Sequence, residues 1–470
     1  MTETRRLDTW TRALLLALLY LVPALLSIRS IVDPDMFWHL KTGEWVLQHG
    51  AVPATDPFST FGQDKPWVAY SWLFEVVFHE LHHVLGWSGV FLYRFVLWVA
   101  IAVALHRVVR RLQPSFPGAF LVTAFGLAAL TRLTEPRPWL LTILFFTVEL
   151  ELLRHARETG LRWPLVVLAG LFALWANVHI QFVYGLALLG VETLDAWFDP
   201  KGKVTRLAGT TVACALATLV NPYHVHVWGV VHEYATETRV FALVTELQPI
   251  RFRSAPDWFV LGLALAAAFT LGLRRDRSPG AYLLLALASF CSFRAQRDSW
   301  FVTIVACALA ARVPLPGGPP PSGVELRALA LTGIVVAATI GLWINARDRF
   351  NEWHEKVISA NFPDGAVRYV EANRLQGPLF NAFGWGGYLI WRLPSIPVSM
   401  DGRTNLHGEE RIARESSTLS GSAWRDDPEL ARARLVILSV DKYPLPQLLM
   451  HDERFRIVYS DDVAAVFVAR

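Results

Sequence analysis

Charge is scarce in this chain, and so is cysteine. Only 18% of its 470 residues are charged, 53% are hydrophobic, and the mean hydropathy is +0.35. That is too little polar surface to cover one water-soluble domain of this size. The net charge is +4, from 44 basic and 40 acidic residues, which excludes the dense basic footprint of a nucleic-acid binder. The three cysteines, Cys214, Cys291 and Cys307, stand in apolar stretches without C-x-x-C spacing. They read as small buried hydrophobes, not as a disulfide framework or metal ligands. No cleavable leader is evident either. The apolar run from Ala13 to Val32 is long enough to span a bilayer, and no small-residue cleavage site follows it.

What the chain has is long apolar runs. Candidate spans are 12–32, 87–105, 117–133, 138–153, 163–178, 180–197, 206–221, 257–273, 279–293, 298–312 and 328–345, about eleven in all. Arg5 and Arg6 precede the first. Every second loop after it is basic, carrying in turn Arg107, Arg110 and Arg111; Arg154, Arg157 and Arg162; Lys201, Lys203 and Arg206; Arg274, Arg275 and Arg277; and Arg312 and Arg327. The positive-inside rule places these segments in the cytoplasm. The expectation is therefore an α-helical polytopic protein of the plasma (inner) membrane, with residues 1–345 as the membrane domain and its N-terminus inside. Residues 346–470 form a small soluble α/β domain on the extracytoplasmic side. Pro314–Pro321 reads as a linker without fixed structure.

The first outer loop, 33–86, opens on Asp33-Pro34-Asp35 directly after a span. Carboxylates at the mouth of a membrane helix are costly unless paired, metal-bound or used. Arg29 is one possible partner, and Asp35 as N-cap of a following helix is another bland account. Met36–Gln48 reads as an amphipathic helix lying in the membrane interface, ended by Gly50. Asp56–Ser59 reads as a turn, and Trp72–Leu85 as a second helix.

The order span, acidic pair, two interfacial helices, span resembles the GT-C superfamily of integral-membrane glycosyltransferases. So does the run Leu85-Gly86-Trp87-Ser88-Gly89-Val90 followed by Tyr93-Arg94. More narrowly, the chain resembles a group of bacterial membrane proteins with D-x-D-x-W-W-H-like, N-P-Y, W-G-G-Y-L and D-G-R segments. Here these read Asp33–His39 with Phe37 in place of one Trp, Asn221–Tyr223, Trp385–Leu389 and Asp401–Arg403. The W-W-D-Y-G motif of oligosaccharyltransferases is absent, so peptide glycosylation is not implied. The resemblance implies a GT-C-like fold, Asp33 and Asp35 as catalytic acids, and a polyprenyl-phosphate-linked sugar donor. A glycan, lipid or protein would be the acceptor. A divalent cation bridging the acids is one cofactor possibility. A non-catalytic envelope-assembly factor and a transporter are the alternative functions.

Such chemistry needs cations for a departing phosphate. Arg132, Arg137, Arg251, Arg253, Arg294 and Arg297 stand at expected outer span ends, against the positive-inside trend. Among them Arg137, Arg294 and Arg297 are candidates for phosphate contacts, with His179 and Glu246 beside them. The alternative is ion pairing with Glu135, Asp298 or lipid head groups. Asn177, Gln181, Asn221, His224 and His226 are other polar residues at span ends. His79-Glu80-Leu81-His82-His83 satisfies H-E-x-x-H, the zincin pattern in which His79 and His83 would hold zinc and Glu80 activate water. No third ligand follows at a metzincin spacing, so a zinc hydrolase is the minor alternative. In the C-terminal domain, 364–374 and 427–434 read as helices, and 384–392 as a short aromatic helix or turn. The segments 378–381, 397–400, 434–440, 455–460 and 464–469 read as strands, and Asp401-Gly402-Arg403 as a strand-end turn.

Overall fold

The computed structural model describes residues 3–198, 203–236, 243–274 and 278–470, with side chains from Arg6 onward. Lys201, Arg275, Arg277 and the side chain of Arg5 lie outside the described residues. The chain forms two compact units. The first comprises Met1–Arg29, Val90–His224 and Val244–Asn345; the second comprises Ser30–Gly89, Val225–Leu243 and Ala346–Arg470.

The first unit is helical. Every expected span falls on a helix, but fewer of these helices than the eleven expected are of full crossing length. Among the described residues four helices are long and apolar enough to cross a membrane: Arg6–Leu26, Trp87–Leu112, Ala255–Arg274 and Val324–Asn361. Length accounts for part of the difference. Trp163–Val178 and Pro279–Arg294 have 16 residues each, or roughly 24 Å at 1.5 Å per residue, short of a hydrocarbon core of about 30 Å. Charge accounts for the rest. Trp139–Thr159 contains Glu149 and Glu151, and Phe182–Phe198 contains Glu192 and Asp195. Val324–Asn361 is one helix of 38 residues, continuous past the point near Asn345 where its apolar pattern stops. The Pro314–Pro321 segment is also corrected, because it is held in place. Ser115 Oγ donates to the Pro316 carbonyl at 2.8 Å, Phe116 N–H to Gly318 at 3.1 Å, and Gln113 Nε2 to Val313 at 2.7 Å.

In the second unit, helix Asp35–His49 packs on helix Trp72–Leu85 and on helix Phe383–Arg392. Met36, Phe37, Trp38, Leu40 and Val46 are buried. Protein covers the apolar side of this helix. Gly50, at φ 62°, ends it in the left-handed region that glycine favours. The C-terminal part carries one sheet in the order β1-β2-β4-β3: β1 (Leu379–Asn381), β2 (Leu435–Ser439), β3 (Phe455–Ser460) and β4 (Ala464–Ala469). β1 runs parallel to β2, and the other pairs are antiparallel. β2 is buried along its whole length, as its unbroken apolar run requires. The expected strand 397–400 is not part of this sheet. Val398 instead bridges to Ser59, accepting from Thr60 N–H and donating to the Phe58 carbonyl. Helices Thr404–His407, Glu409–Leu419 and Leu445–Met450 were not expected.

Candidate functional site

The acidic pair lies at the start of helix Asp35–His49. Pro34 fixes φ at −63° in the capping position. Asp33 is 3% exposed, and its Oδ1 accepts the Asp35 N–H at 3.1 Å. Asp33 therefore does the capping that the sequence suggested for Asp35, because Pro34 leaves Asp35 inside the first turn. Asp35 is half-buried. Arg29 donates to Thr134 Oγ1 at 3.2 Å within the first unit.

Three segments that lie far apart in sequence meet here. A methyl group added at Gly402 would lie 1.9 Å from Asp35 Oδ1, so the D-G-R turn sits directly against this carboxylate. A methyl at Gly387 would lie 2.5 Å from the Pro34 carbonyl, and one at Gly386 would lie 1.9 Å from the Met400 carbonyl. The two glycines thus let the W-G-G-Y-L helix touch backbone on both sides. Phe37, which stands where the resembling proteins have Trp, is fully buried. Its ring lies edge-on to Tyr388 at 5.0 Å and to Phe362 at 4.8 Å, contacts worth about 1 kcal/mol each beyond burial. The Tyr388 hydroxyl donates to Asp364 at 3.0 Å.

Behind the turn is a buried ionic network. Arg403 donates Nε and Nη2 to the two oxygens of Asp401, both at 2.7 Å, and Nη1 to Asp56 at 2.5 Å. Its guanidinium lies over the Trp67 ring at 4.6 Å. His407 Nε2 is 3.1 Å from Asp401, and Arg411 Nη1 is 2.7 Å from His407 Nδ1. Arginine has only donors, so Nδ1 is the acceptor and Nε2 carries the proton that bonds Asp401. Burial acts to raise the pKa of Asp401, but Arg403 and His407 outweigh it and hold the carboxyl far below the usual range. Asp401 and Arg403 are therefore structural. They tie the 56–67 loop to the turn that abuts Asp35.

One helical turn beyond Asp35, His39 Nδ1 is hydrogen-bonded to Glu75 Oε1 at 3.0 Å, with both side chains buried. The second oxygen of Glu75 has no hydrogen-bond partner. Burial holds the Glu75 carboxyl well above its ordinary pKa, against a smaller lowering by Arg403. Of the H-E-x-x-H residues, His79 Nδ1 meets the Leu40 carbonyl at 3.2 Å, and Glu80 and His83 are exposed. Burial pushes His82 down to about 4, with His79 and His83 adding to the effect. Among the described residues no group of three or more His, Cys, Asp or Glu side chains is arranged to hold a metal ion.

The phosphate candidates belong to the first unit and form a cluster. Arg137 pairs with Glu246 at 3.0 Å, and Arg297 lies 3.8 Å from the other Glu246 oxygen and 3.9 Å from Asp298. Asp298 accepts from Gln181 and from Tyr184, each at 2.6 Å. Arg294 lies close enough for its charge to act on Asp298, and Arg297 close enough to act on His179. His179 Nδ1 is 2.9 Å from Thr142 Oγ1. Arg132 pairs with Asp257 at 2.7 Å. Asn177 and Asn221 bond backbone carbonyls. Asp56 and Glu75 escaped the sequence reading. The only signal for Asp56 was its place in a turn, and Glu75 looked like one more acid on an amphipathic helix.

The structure resembles the crystal structure of the Archaeoglobus fulgidus oligosaccharyltransferase in its apo form. The likeness covers 98% of this chain and 74% of that one, with a TM-score of 0.55 and 11% sequence identity. No protein-family model and no curated protein matches the chain. The likeness is one of fold: a mostly helical chain with apolar helices and a small C-terminal sheet.

Proposed function

We propose that this chain is a GT-C-type glycosyltransferase of the plasma membrane, moving a sugar from a polyprenyl-phosphate-linked donor to an acceptor at the extracytoplasmic face. One observation carries the reading. An acidic pair at the exit of the first apolar helix is packed against the W-G-G-Y-L and D-G-R segments, in a chain that shares its fold with an oligosaccharyltransferase. In the proposed reaction Asp33 or Asp35 takes the proton of the acceptor hydroxyl as its oxygen bonds to the sugar's anomeric carbon. The bond from that carbon to the carrier phosphate breaks, and the phosphate leaves with the electron pair. Arg137, Arg294 and Arg297 receive this charge, with His179 and Glu246 contacting donor or acceptor. A divalent cation is a candidate partner of the acidic pair, since carboxylates are hard oxygen ligands. The acceptor is a glycan, lipid or protein.

The same reading assigns 1–345 to the membrane, places the N-terminus in the cytoplasm and 346–470 outside. The alternation of basic loops supports about eleven crossings, the shorter helices included. Alkaline phosphatase fused after Arg349 is expected to be active and fused after Lys203 inactive; the reverse would overturn the topology.

The decisive experiment for function is Asp33→Asn and Asp35→Asn, each checked for expression and folding. Asparagine caps as well as aspartate but takes no proton. At least one variant is expected to lose about 10²–10⁴ in rate, seen as failure to restore the glycan phenotype of a deletion strain. Full restoration by both would favour a second reading, a non-catalytic assembly factor. The hydrogen bond from Asp35 N–H to Asp33 is what that reading has in its favour.

A further inference from the structure

Helix Asp35–His49 carries a second polar group close to the acidic pair. Residues four apart lie on one face of a helix, roughly 6 Å apart along its axis. His39 is therefore the next side chain on the face that begins with Asp35. One turn further on is Gly43, where an added methyl would lie 2.1 Å from the Glu75 carbonyl oxygen. The missing side chain lets helix Trp72–Leu85 come into backbone contact, and in that contact Glu75 meets the imidazole. Glu75 Oε1 and His39 Nδ1 are 3.0 Å apart, with side chains only 1% and 5% exposed. The Trp38 ring lies 3.6 Å from the His39 ring, and Phe74 stands edge-on to it at 5.2 Å. The pair is walled by aromatic carbon rather than water.

Two arrangements of protons fit one such bond. Either a carboxylate accepts from Nδ1–H, or a neutral carboxyl donates to a bare Nδ1. The surroundings decide between them. A buried carboxylate needs donors on both oxygens, and Glu75 Oε2 has no hydrogen-bond partner. Arg403, whose charge acts on Glu75, gives Nε and Nη2 to Asp401 and Nη1 to Asp56. His79, one turn along the same helix as Glu75, directs Nδ1 to the Leu40 carbonyl. A neutral carboxyl leaves only a carbonyl-type oxygen unpaired, which costs much less than an unpaired charge. Burial favours the neutral acid as well.

We propose that Glu75 is a neutral acid that donates its proton in a hydrogen bond to His39 Nδ1, and so holds His39 as the neutral Nε2–H tautomer one turn from Asp35. The role of this arrangement rests on the glycosyltransferase reading. An imidazolium at that position would favour the ionised form of Asp35 and weaken it as a base. A neutral ring supplies a hydrogen-bond donor without that charge. Glu75 acts through His39 and is a positioning residue.

The proton is located by solid-state nitrogen NMR of the full-length protein in lipid bilayers, with isotope-labelled histidine. The His39 signals are assigned by difference from His39→Gln. A bare Nδ1 and a protonated Nε2 are expected near neutral pH. Protonation of both nitrogens, or of Nδ1 alone, would overturn the proposal. Complementation of a deletion strain tests the role. Glu75→Gln keeps an N–H to donate to Nδ1 and is expected to restore the glycan phenotype. Glu75→Ala removes the donor, and misplacement of the ring should cost about 10²-fold in rate. Failure of a folded Glu75→Gln would show that a carboxylate is required, and restoration by Glu75→Ala would show that nothing is positioned; either overturns the role. If Glu75→Ala does not fold, the NMR measurement and Glu75→Gln still decide. Restoration by both Asp33→Asn and Asp35→Asn would count against the glycosyltransferase reading alone, and the tautomer of His39 would still settle where the proton lies.

Discussion

The second unit holds two acidic pairs in contrasting surroundings. Asp56 and Asp401 are 1% and 0% exposed and share one arginine that fills them with hydrogen bonds. Asp33 and Asp35 stand at a helix start, and Asp35 is half-buried against a glycine that has no side chain to cover it. Both arrangements depend on the same short turn, Asp401-Gly402-Arg403. Its charged residues point into the network and its glycine faces the other carboxylate. The saturated buried pair serves as a fastening, whereas the other pair is less covered at Asp35 and holds that carboxylate directly against the turn.

Variants can separate the two roles. Arg403→Met would leave Asp56 and Asp401 buried and uncompensated, at a cost of about 3–5 kcal/mol, seen as a large drop in unfolding midpoint or loss of the folded protein. Asp401 also sets a pH dependence. Its folded pKa is depressed, so its stabilisation is complete above its ordinary value of 3.8 and is lost as pH falls below it. The midpoint should therefore be insensitive to Asp401 at neutral pH and fall in acid. Gly402→Ala should act on the other pair. The new methyl displaces the Asp35 carboxylate, which can swing aside cheaply, so folding persists while activity falls about tenfold, a loss of roughly 1.4 kcal/mol in transition-state binding. Wild-type activity with an unchanged fold would separate the turn from the site.

The smallest effect is expected at Glu415, which accepts the N–H of Phe383 at 2.7 Å at the head of the W-G-G-Y-L helix. Burial pushes its carboxyl up to about 8. A raised acid stabilises the fold at low pH and loses that contribution as pH climbs from about 4.5 through about 8. Unfolding midpoints should decline modestly over this range, and Glu415→Gln should flatten the decline. A variant with the same pH profile as the parent would show that Glu415 is already ionised.

Much of this architecture could be read along the chain. Helix Trp72–Leu85 has the boundaries that its apolar spacing and the following Gly86 indicate. Strands β2, β3 and β4 fall where alternating or continuous apolar residues put them. The extension of Val324–Asn361 was missed because hydropathy stops before helix propensity does. Residues 346–361 are charged yet rich in helix formers such as Arg, Glu and Lys. Glu409–Leu419 was missed for the same reason. The candidate site was legible as residue types and not as an arrangement. Nothing near Asp56 in sequence announces Arg403, and nothing near Asp35 announces Gly402, because both contacts are set by tertiary packing.

The bond between Asp56 and Arg403 spans 347 positions of chain. Synthesis proceeds at about 5–20 residues per second, so roughly 20–70 s separate the two residues as they emerge. Throughout that interval the 33–86 segment waits for the residues that complete it. A ribosome that stalls, or a nonsense codon, between the end of helix Val324–Asn361 and position 403 would leave the apolar helices carrying a half-assembled loop. Quality control acting on such products should therefore depend on residues translated after the last of the long apolar helices.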